Sequence, residues 1–426
     1  MRQRKYGFGS AFVGLVAGAM ALMPALSASA DEAALQQEIE MLKSRLAALE
    51  SKASHASSSV PVNGGVAVPS GQPIEMSGFV DTSYTYNFNE PQTRTNTLRV
   101  FDTRANSFMI NNAELVVEKK VSADSPTGFR VDLDFGTDSE VVGSVTAGLG
   151  TGDDELDIQQ AYGEYLAPLG NGLDIKAGKF VTLHGAEVIE SKDNWNLSRS
   201  FLFGYAIPFT HTGIRATYPW ANWLSTTVGV SNGWDVVDDN NQGKTIEASA
   251  TIVPFDKASL TGTFMTGPEQ TGNNNNSRQL IDFAGSYQIT DALAAKLNFD
   301  YGWEDDAVTT TIGGLTGVAP KNASWTGLAG YLRYQMNDKF ALAGRAEWMH
   351  DADGVRTALL TGINGITGTD VNLYELTLTG EYKLNDHLIT RLEYRHDRGS
   401  EKIFRSHDVS QRSYQDTIGM EVIAPF

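Results

Sequence analysis

Apolar side chains recur at every second position along much of this chain, and that period constrains its fold more than any other feature. Phe129, Val131, Leu133 and Phe135 alternate with Arg130, Asp132 and Asp134. Leu293, Ala295, Leu297, Phe299, Tyr301 and Trp303 alternate with Lys296, Asn298, Asp300 and Glu304. The same pattern carries Phe340, Leu342, Ala346 and Trp348 against Arg345 and Glu347, and Tyr374, Leu376, Leu378 and Tyr382 against Glu375, Thr377, Thr379 and Glu381. Period two is the mark of a strand with one apolar face. The chain closes in the same way. Ile418, Met420, Val422, Ala424 and Phe426 face one side, and Thr417, Gly419 and Glu421 the other. That run is about ten residues, the length of one membrane-crossing strand.

The connections narrow the choice further. Tight turns at Pro219 to Asn222, Pro254 to Lys257, Thr290-Asp291, Asn337-Asp338 and Asn385-Asp386 take turns with long polar stretches at 137–155, 183–210, 232–243, 267–278, 304–322, 350–370 and 398–412. Soluble sandwiches and propellers alternate too, but they do not separate short and long connections onto opposite ends. A transmembrane barrel does, with short periplasmic turns and long outer loops. Tyr84, Tyr86, Tyr301, Trp303 and Trp348 fall beside long loops, and Trp220, Trp223, Phe255, Phe340 and Phe426 beside short turns or the terminus. Two aromatic belts are what the two membrane interfaces select. The expected fold is all-β: a closed antiparallel transmembrane barrel of about sixteen strands over residues 74–426. On this parse Leu297, Phe299, Leu376, Leu378, Ile418 and Met420 face lipid, and Lys296, Asp300, Glu347 and Glu375 face water.

The segments ahead of the barrel read differently. Arg2, Arg4 and Lys5, the apolar run Ala11 to Leu26 and the small residues Ala28-Ser29-Ala30 form a secretory leader over residues 1–30. Its removal takes away three bases and no acid, which moves the net charge from −18 to −21 and argues against nucleic acid as a partner. Over residues 31–52, Leu35, Ile39, Leu42, Leu46 and Leu49 are spaced as a heptad seam. A helix this short is marginal alone, so the seam is expected to be buried against copies of itself in a homotrimer, a frayed amphipathic helix being the bland alternative. Residues 53–73, rich in Ser, Pro and Gly, read as a flexible linker. With Cys 0 there is no disulfide framework and no thiolate metal site.

Residues 177–215 carry a recognisable text: Gly178-Lys179-Phe180, then Gly185 and Glu187, Ser198-Arg199-Ser200, and Pro208, His211, Gly213 and Arg215 opening the next strand. This resembles the OmpL-like β-barrel porin family, and the resemblance runs from Met76 to the end of the chain, with echoes at Asn232-Gly233-Trp234-Asp235 and Arg395-His396-Asp397. The terminal aromatic strand resembles the last strand of bacterial outer-membrane barrels, and the heptad segment resembles the N-terminal coiled coils of some trimeric porins. The resemblance implies an outer-membrane porin. Its partners would be outer-membrane lipid and lipopolysaccharide, and its cargo small hydrophilic solutes.

Catalytic and metal readings fare less well. His184, His211, His350, His387, His396 and His407 lie in or near loops and strand ends; His396 sits between Arg395 and Asp397 and His407 follows Ser406, but neither offers a second-site nucleophile. Asp351-Ala352-Asp353-Gly354 and Asp238-Asp239-Asn240-Asn241 are oxygen-rich, yet neither completes a twelve-residue calcium loop with a closing Glu. No enzyme activity, cofactor or metal site is expected.

The stretch 183–210 stands apart because it is apolar: Trp195, Leu197, Phe201, Leu202, Phe203, Tyr205, Ile207 and Phe209. Side chains of this kind need cover. Either the loop folds onto the inner wall, as the third outer connection does in general porins, or it forms a cap on the rim. Folded inward, its Glu187, Glu190, Lys192, Asp193 and Arg199 would line a constriction. The wall around it is expected to present Arg130, Asp132, Asp134, Arg215, Arg345, Glu347, Arg391, Glu393 and Arg395. The expected function is a water-filled channel for passive diffusion of small hydrophilic solutes or ions, weakly cation-preferring because acids outnumber bases. The alternative is a surface adhesin or envelope-tethering protein that uses the barrel as an anchor.

Overall fold

A computed structural model of the chain describes residues 73–142, 156–308, 311–312, 315–316, 321–357, 370–408 and 410–426. The leader (1–30), the heptad segment (31–52, with Leu35, Ile39, Leu42, Leu46 and Leu49) and all of the linker but Pro73 lie outside these residues.

The alternating stretches become sixteen barrel strands. They are β1 (Glu75–Asn87), β2 (Ser107–Lys119), β3 (Thr127–Phe135), β4 (Leu156–Ala167) and β5 (Leu173–Val181). Then come β6 (Thr210–Ala221), β7 (Leu224–Ser231), β8 (Thr245–Phe255), β9 (Ala258–Pro268), β10 (Ser277–Gln288) and β11 (Leu293–Val308). The last are β12 (Lys321–Gln335), β13 (Phe340–Asp351), β14 (Val371–Asn385), β15 (Leu388–Gly399) and β16 (Tyr414–Pro425). Each strand pairs antiparallel with the next, and β16 returns to β1, where Val80 sits opposite Ala424 and Tyr84 opposite Met420. The N–H of Phe426 donates to the Gly78 carbonyl at 3.0 Å, and the Gly78 N–H to the Phe426 carbonyl at 3.1 Å. A Cβ at Gly78 would lie 2.1 Å from the Glu114 carbonyl and 2.7 Å from the Phe426 ring, so only glycine lets the seam close. With no free edge, no strand of the wall presents an unpaired row of backbone groups to lipid.

Facing follows the alternation. On β14, Tyr374, Leu376 and Leu378 are exposed on the outside, while Glu375, Thr377 and Thr379 are buried inside. Leu297 and Met420 are likewise exposed on the outer surface, Phe299 and Ile418 half-buried there, and Asp300 and Glu347 buried within. Short connections alternate with long ones around the whole barrel. Three connections were not legible in the sequence: the first outer loop, 88–106, and the turns 120–126 and 168–172. The strand after the first of these is irregular, because Asn111 on β2 is an extra residue opposite the Asp81–Thr82 step, so that Asn111 and Asn112 are both buried and the alternation of β2 shifts phase. The second outer connection opens with a short helix, α1 (Thr137–Val142).

Candidate functional site

The connection between β5 and β6, residues 182–209, is packed against the inner wall. Its apolar residues Ile189, Leu197, Phe201, Leu202, Phe203, Tyr205 and Ile207 are all buried. Most of them share one cluster with Met265, Leu280, Trp325, Ala329, Tyr331, Met349 and Leu373 from the wall, and with Leu98 and Phe101 from the first outer loop. Phe101, Phe203 and Phe209 meet tilted or edge-on, with ring centroids 5.4–5.7 Å apart. Each such burial contributes about 1.5–3 kcal/mol, which is why an apolar loop goes inside and the polar ones do not. The alternative of a cap on the rim does not describe this packing.

Charged wall residues then fix the loop's course. Arg345 donates to Glu375 at 2.8 Å, to Glu187 of the loop at 2.6 Å and to the Ser198 carbonyl at 2.6 Å. The Glu347 carboxylate accepts the N–H groups of Phe201 and Leu202 at 2.6 and 3.2 Å. Two positions along β15, Glu393 and Arg391 act in the same way. Glu393 accepts the N–H groups of Leu197 and Ser198 at 2.7 and 3.0 Å. Arg391 donates to the carbonyls of Ser191 and Asn194 at 2.8 and 2.7 Å, and to Glu421 at 3.0 Å. Arg395 binds Asp397 at 2.7 Å, reaches the Ser198 hydroxyl at 3.2 Å, and stands 4.8 Å over the Phe201 ring. From β11 and β12, Asn298 accepts the Ala186 N–H at 3.1 Å, and the Trp325 indole donates to the Ala206 carbonyl at 3.0 Å. Charge-assisted bonds to backbone groups hold a loop without a ladder of its own.

The residues expected at a constriction separate into two sets. Glu190, Lys192 and Asp193 sit on a single 3-10 turn, Ser191–Asp193 with its flanking residue, and border a cavity of about 600 Å³. The Gln159 amide donates to Glu190 at 2.6 Å, and Lys192 pairs with Asp193. Glu187 and Arg199 are turned away from that cavity. Glu187 is spent on Arg345 and on the Ser200 N–H at 2.8 Å. The Arg199 guanidinium braces the loop itself, donating to the carbonyls of Val188, Ile189 and Leu197 and lying 4.8 Å from the Phe101 ring. The opposite wall of the cavity comes from β2 to β5, through Glu114, Glu118, Arg130, Gln160, Tyr162 and Lys176. Arg130 pairs with Asp132 at 2.9 Å, and the Lys176 ammonium lies 4.9 Å from the Tyr162 ring centre. Asp134 is buried on the same wall. Arg215 on β6 is bound to Glu247 at 2.7 Å and covers the Phe180 ring at 4.1 Å.

Sequence reasoning missed several partners. Ser198, Asn298, Trp325 and Gln159 carry no charge to draw attention. Asp81, Glu114 and Asp397 face inward on strands whose alternation the sequence reading did not single out. Arg356, in the loop after β13, donates to the Tyr205 carbonyl at 2.6 Å between the rings of Trp234 and Trp325; burial and the nearby Arg278 charge push its pKa down to about 10. Burial also holds the His184 imidazole well below its ordinary range, helped by His211 and Arg215. The oxygen-rich stretch at Asp351 has a local use: its carboxylate accepts the N–H groups of residues 355–357 at 2.8–3.1 Å. Among the described residues no group of three or more His, Asp or Glu side chains is arranged to hold a metal ion.

A closed sixteen-stranded wall that is apolar outside and charged inside, with a loop seated in its interior, defines an outer-membrane porin. Residues 73–426 match the family described as Putative beta-barrel porin-2, OmpL-like, and the chain belongs to that family. It is a channel-forming protein of the bacterial outer membrane. Solved structures share the architecture at low identity. An anion-selective porin from Comamonas acidovorans is 9% identical with a TM-score of 0.56, over 83% of this chain and 99% of that one. The outer membrane channel DcaP of Acinetobacter baumannii is 12% identical with a TM-score of 0.53, over 85% and 100%. A loop L8 deletion mutant of OmpT, an outer membrane protein of Vibrio cholerae, is 11% identical with a TM-score of 0.54, over 83% and 99%. No curated protein matches the sequence significantly.

Proposed function

We propose that solutes cross this porin through the gap between the turn at residues 190–193 and the wall of β2 to β5, and that the rest of the seated loop is a fixed plug. The observation that carries this reading is the division of charge inside the barrel. Arg345, Arg391 and Arg395 are occupied by carboxylates and loop carbonyls, and Arg215 by Glu247. The groups bordering the cavity of about 600 Å³ are partly paired as well, Arg130 with Asp132 and Lys192 with Asp193, but they keep a face towards it and are the ones a solute would meet. There Glu114, Glu118, Glu190 and Asp193 stand against Arg130, Lys176 and Lys192, a small acidic excess that favours cations weakly. The likeness to an anion-selective porin concerns the fold alone. The cargo is small hydrophilic solutes or ions moving passively, no chemistry being asked of the wall. The working unit is a homotrimer in outer-membrane lipid and lipopolysaccharide, joined in part by the heptad seam of residues 31–52. Reconstitution in a planar bilayer tests the reading. Stepwise conductance with a reversal potential of cationic sign under a salt gradient is expected. A folded barrel without conductance would instead make it an anchor for its loops.

A further inference from the structure

The cavity beside the turn at residues 190–193 ends against a row of acids. Glu114 on β2 lies directly opposite Asp134 on β3, and Asp134 opposite Asp157 on β4. All three point inward and are no more than 3% exposed. Like charges in such cross-strand positions repel. Asp157 is answered by Lys179 at 3.0 Å. Glu114 and Asp134 have no such answer: among the described residues, the Glu114 Oε2 and both Asp134 carboxylate oxygens are buried without a hydrogen-bond partner. Elsewhere in the barrel, Glu375, Glu421 and Asp397 each hold an arginine at 2.7–3.0 Å.

Neutral groups at the same place are short of partners too. Gln159 is the extra residue of a bulge on β4, opposite the step from Asp132 to Leu133. It is 0% exposed, and its amide donates to Glu190 of the seated loop at 2.6 Å, while its Oε1 has no donor. Asn112, two residues before Glu114 on β2, leaves both polar atoms of its amide unpartnered. Buried acceptors without donors are costly whether or not they carry charge, so what is missing here is a donor and not charge alone. The open cavity lies beside these groups, since Glu114 and Glu190 both border it, and Val116 and Val181 add apolar lining close by.

We propose that Glu114, Asp134, Glu190 and Gln159 form a binding site for the primary ammonium group of a permeating amine. This rests on the path proposed above and names the class of cargo that the path serves. An ammonium brings one positive charge and three N–H donors, which separate acceptors on neighbouring strands can share. A metal ion needs its ligands converging on one point, and no group of three or more acidic or histidine side chains does so among the described residues. Glu114 has the cavity on its free side, so a turn about its side-chain bonds opens the site to an entering ammonium. The alkyl part of the solute then lies along Val116 and Val181.

The probe is 1,5-diaminopentane, either end of which can enter. It is added to single channels in planar bilayers, with tetramethylammonium, which has the charge but no N–H, and calcium chloride as comparisons. Discrete closures with the diamine alone are expected. Glu114→Gln and Asp134→Asn, each checked for folding by the heat-dependent shift in gel mobility, should raise the half-blocking concentration about tenfold, the loss of one charge-assisted hydrogen bond. A conducting parent that ignores the diamine, block unchanged in both variants, or equal block by tetramethylammonium or calcium would overturn the site while leaving the path standing. If the folded barrel does not conduct, the path is lost and calorimetric titration of the diamine into the detergent-solubilised protein decides the site. Heat of binding that Glu114→Gln abolishes supports it, and its absence from the parent overturns it.

Discussion

Removing the Arg345 side chain should loosen the seated loop without dissolving the barrel. Arg345 lies 1% exposed on β13 and ties together three things: Glu375 of the neighbouring strand, Glu187 of the loop and the Ser198 carbonyl. Arg345→Ala leaves two buried carboxylates facing each other with their shared partner gone. Breaking a buried ion pair from one side costs about 3–5 kcal/mol. The ladder around Arg345, closed on both sides by β12 and β14, has no cheaper state to go to. The loop does. Its remaining charged anchors include Glu347, Glu393, Arg391 and Arg395, whose bonds are each worth about 1.5–3 kcal/mol, so it stays inside but gains freedom around Glu187 and Ser198. Single channels of Arg345→Ala should therefore show higher mean conductance and more open-channel noise than the parent. Arg345→Lys, which keeps the charge but not the fork, should fall between the two. Conductance and noise at the parental level in an Arg345→Ala protein that shows the folded, heat-modifiable gel mobility would refute the view that this arginine holds the loop.

Three further outcomes can be checked. Leu378→Arg, at the middle of β14 between Tyr374 and Tyr382 on the outer surface, should cost about 2–4 kcal/mol and impair assembly, seen as loss of the folded gel form; Leu376→Arg, nearer the belt, should cost less. Glu190→Gln together with Asp193→Asn removes carboxylates from the cavity border and should shift the reversal potential towards anions, whereas Glu347→Gln, whose group is spent on the loop backbone, should not. Deleting residues 31–52 should weaken the oligomer on native gels and leave conductance intact.

The wall was legible in the sequence because its rule is local: a side chain two positions along faces the same way, so Leu376 and Glu375 sort themselves. The loop was half legible. Its apolar residues announced that it must be covered, yet which of its charges would meet a solute depends on which wall residue each one finds. Glu187 and Glu190 look alike in the sequence and differ only because Arg345 lies beside one and Gln159 beside the other. Arg199 was expected to face the passage and instead satisfies carbonyls of its own loop, a bond between residues 188 and 199 that no period encodes. A bulge hid the facing of β2, where the one extra residue Asn111 reverses the alternation beyond it.

The charged anchors of the loop and the wall that borders the cavity come from different quarters of the barrel, β13 and β15 for Arg345, Glu347, Arg391, Glu393 and Arg395, and β2 to β5 for the cavity. A porin arranged in this way can change its cargo cheaply. On the proposed path, substitutions at Glu114, Arg130, Tyr162 or Lys176 would alter what a passing solute meets and leave the arginine and glutamate anchors of the loop in place. Drift among the anchoring residues is penalised whatever the solute. Variation in transport should then collect on one arc of the cylinder, with the opposite arc held constant by the work of keeping the bore narrow.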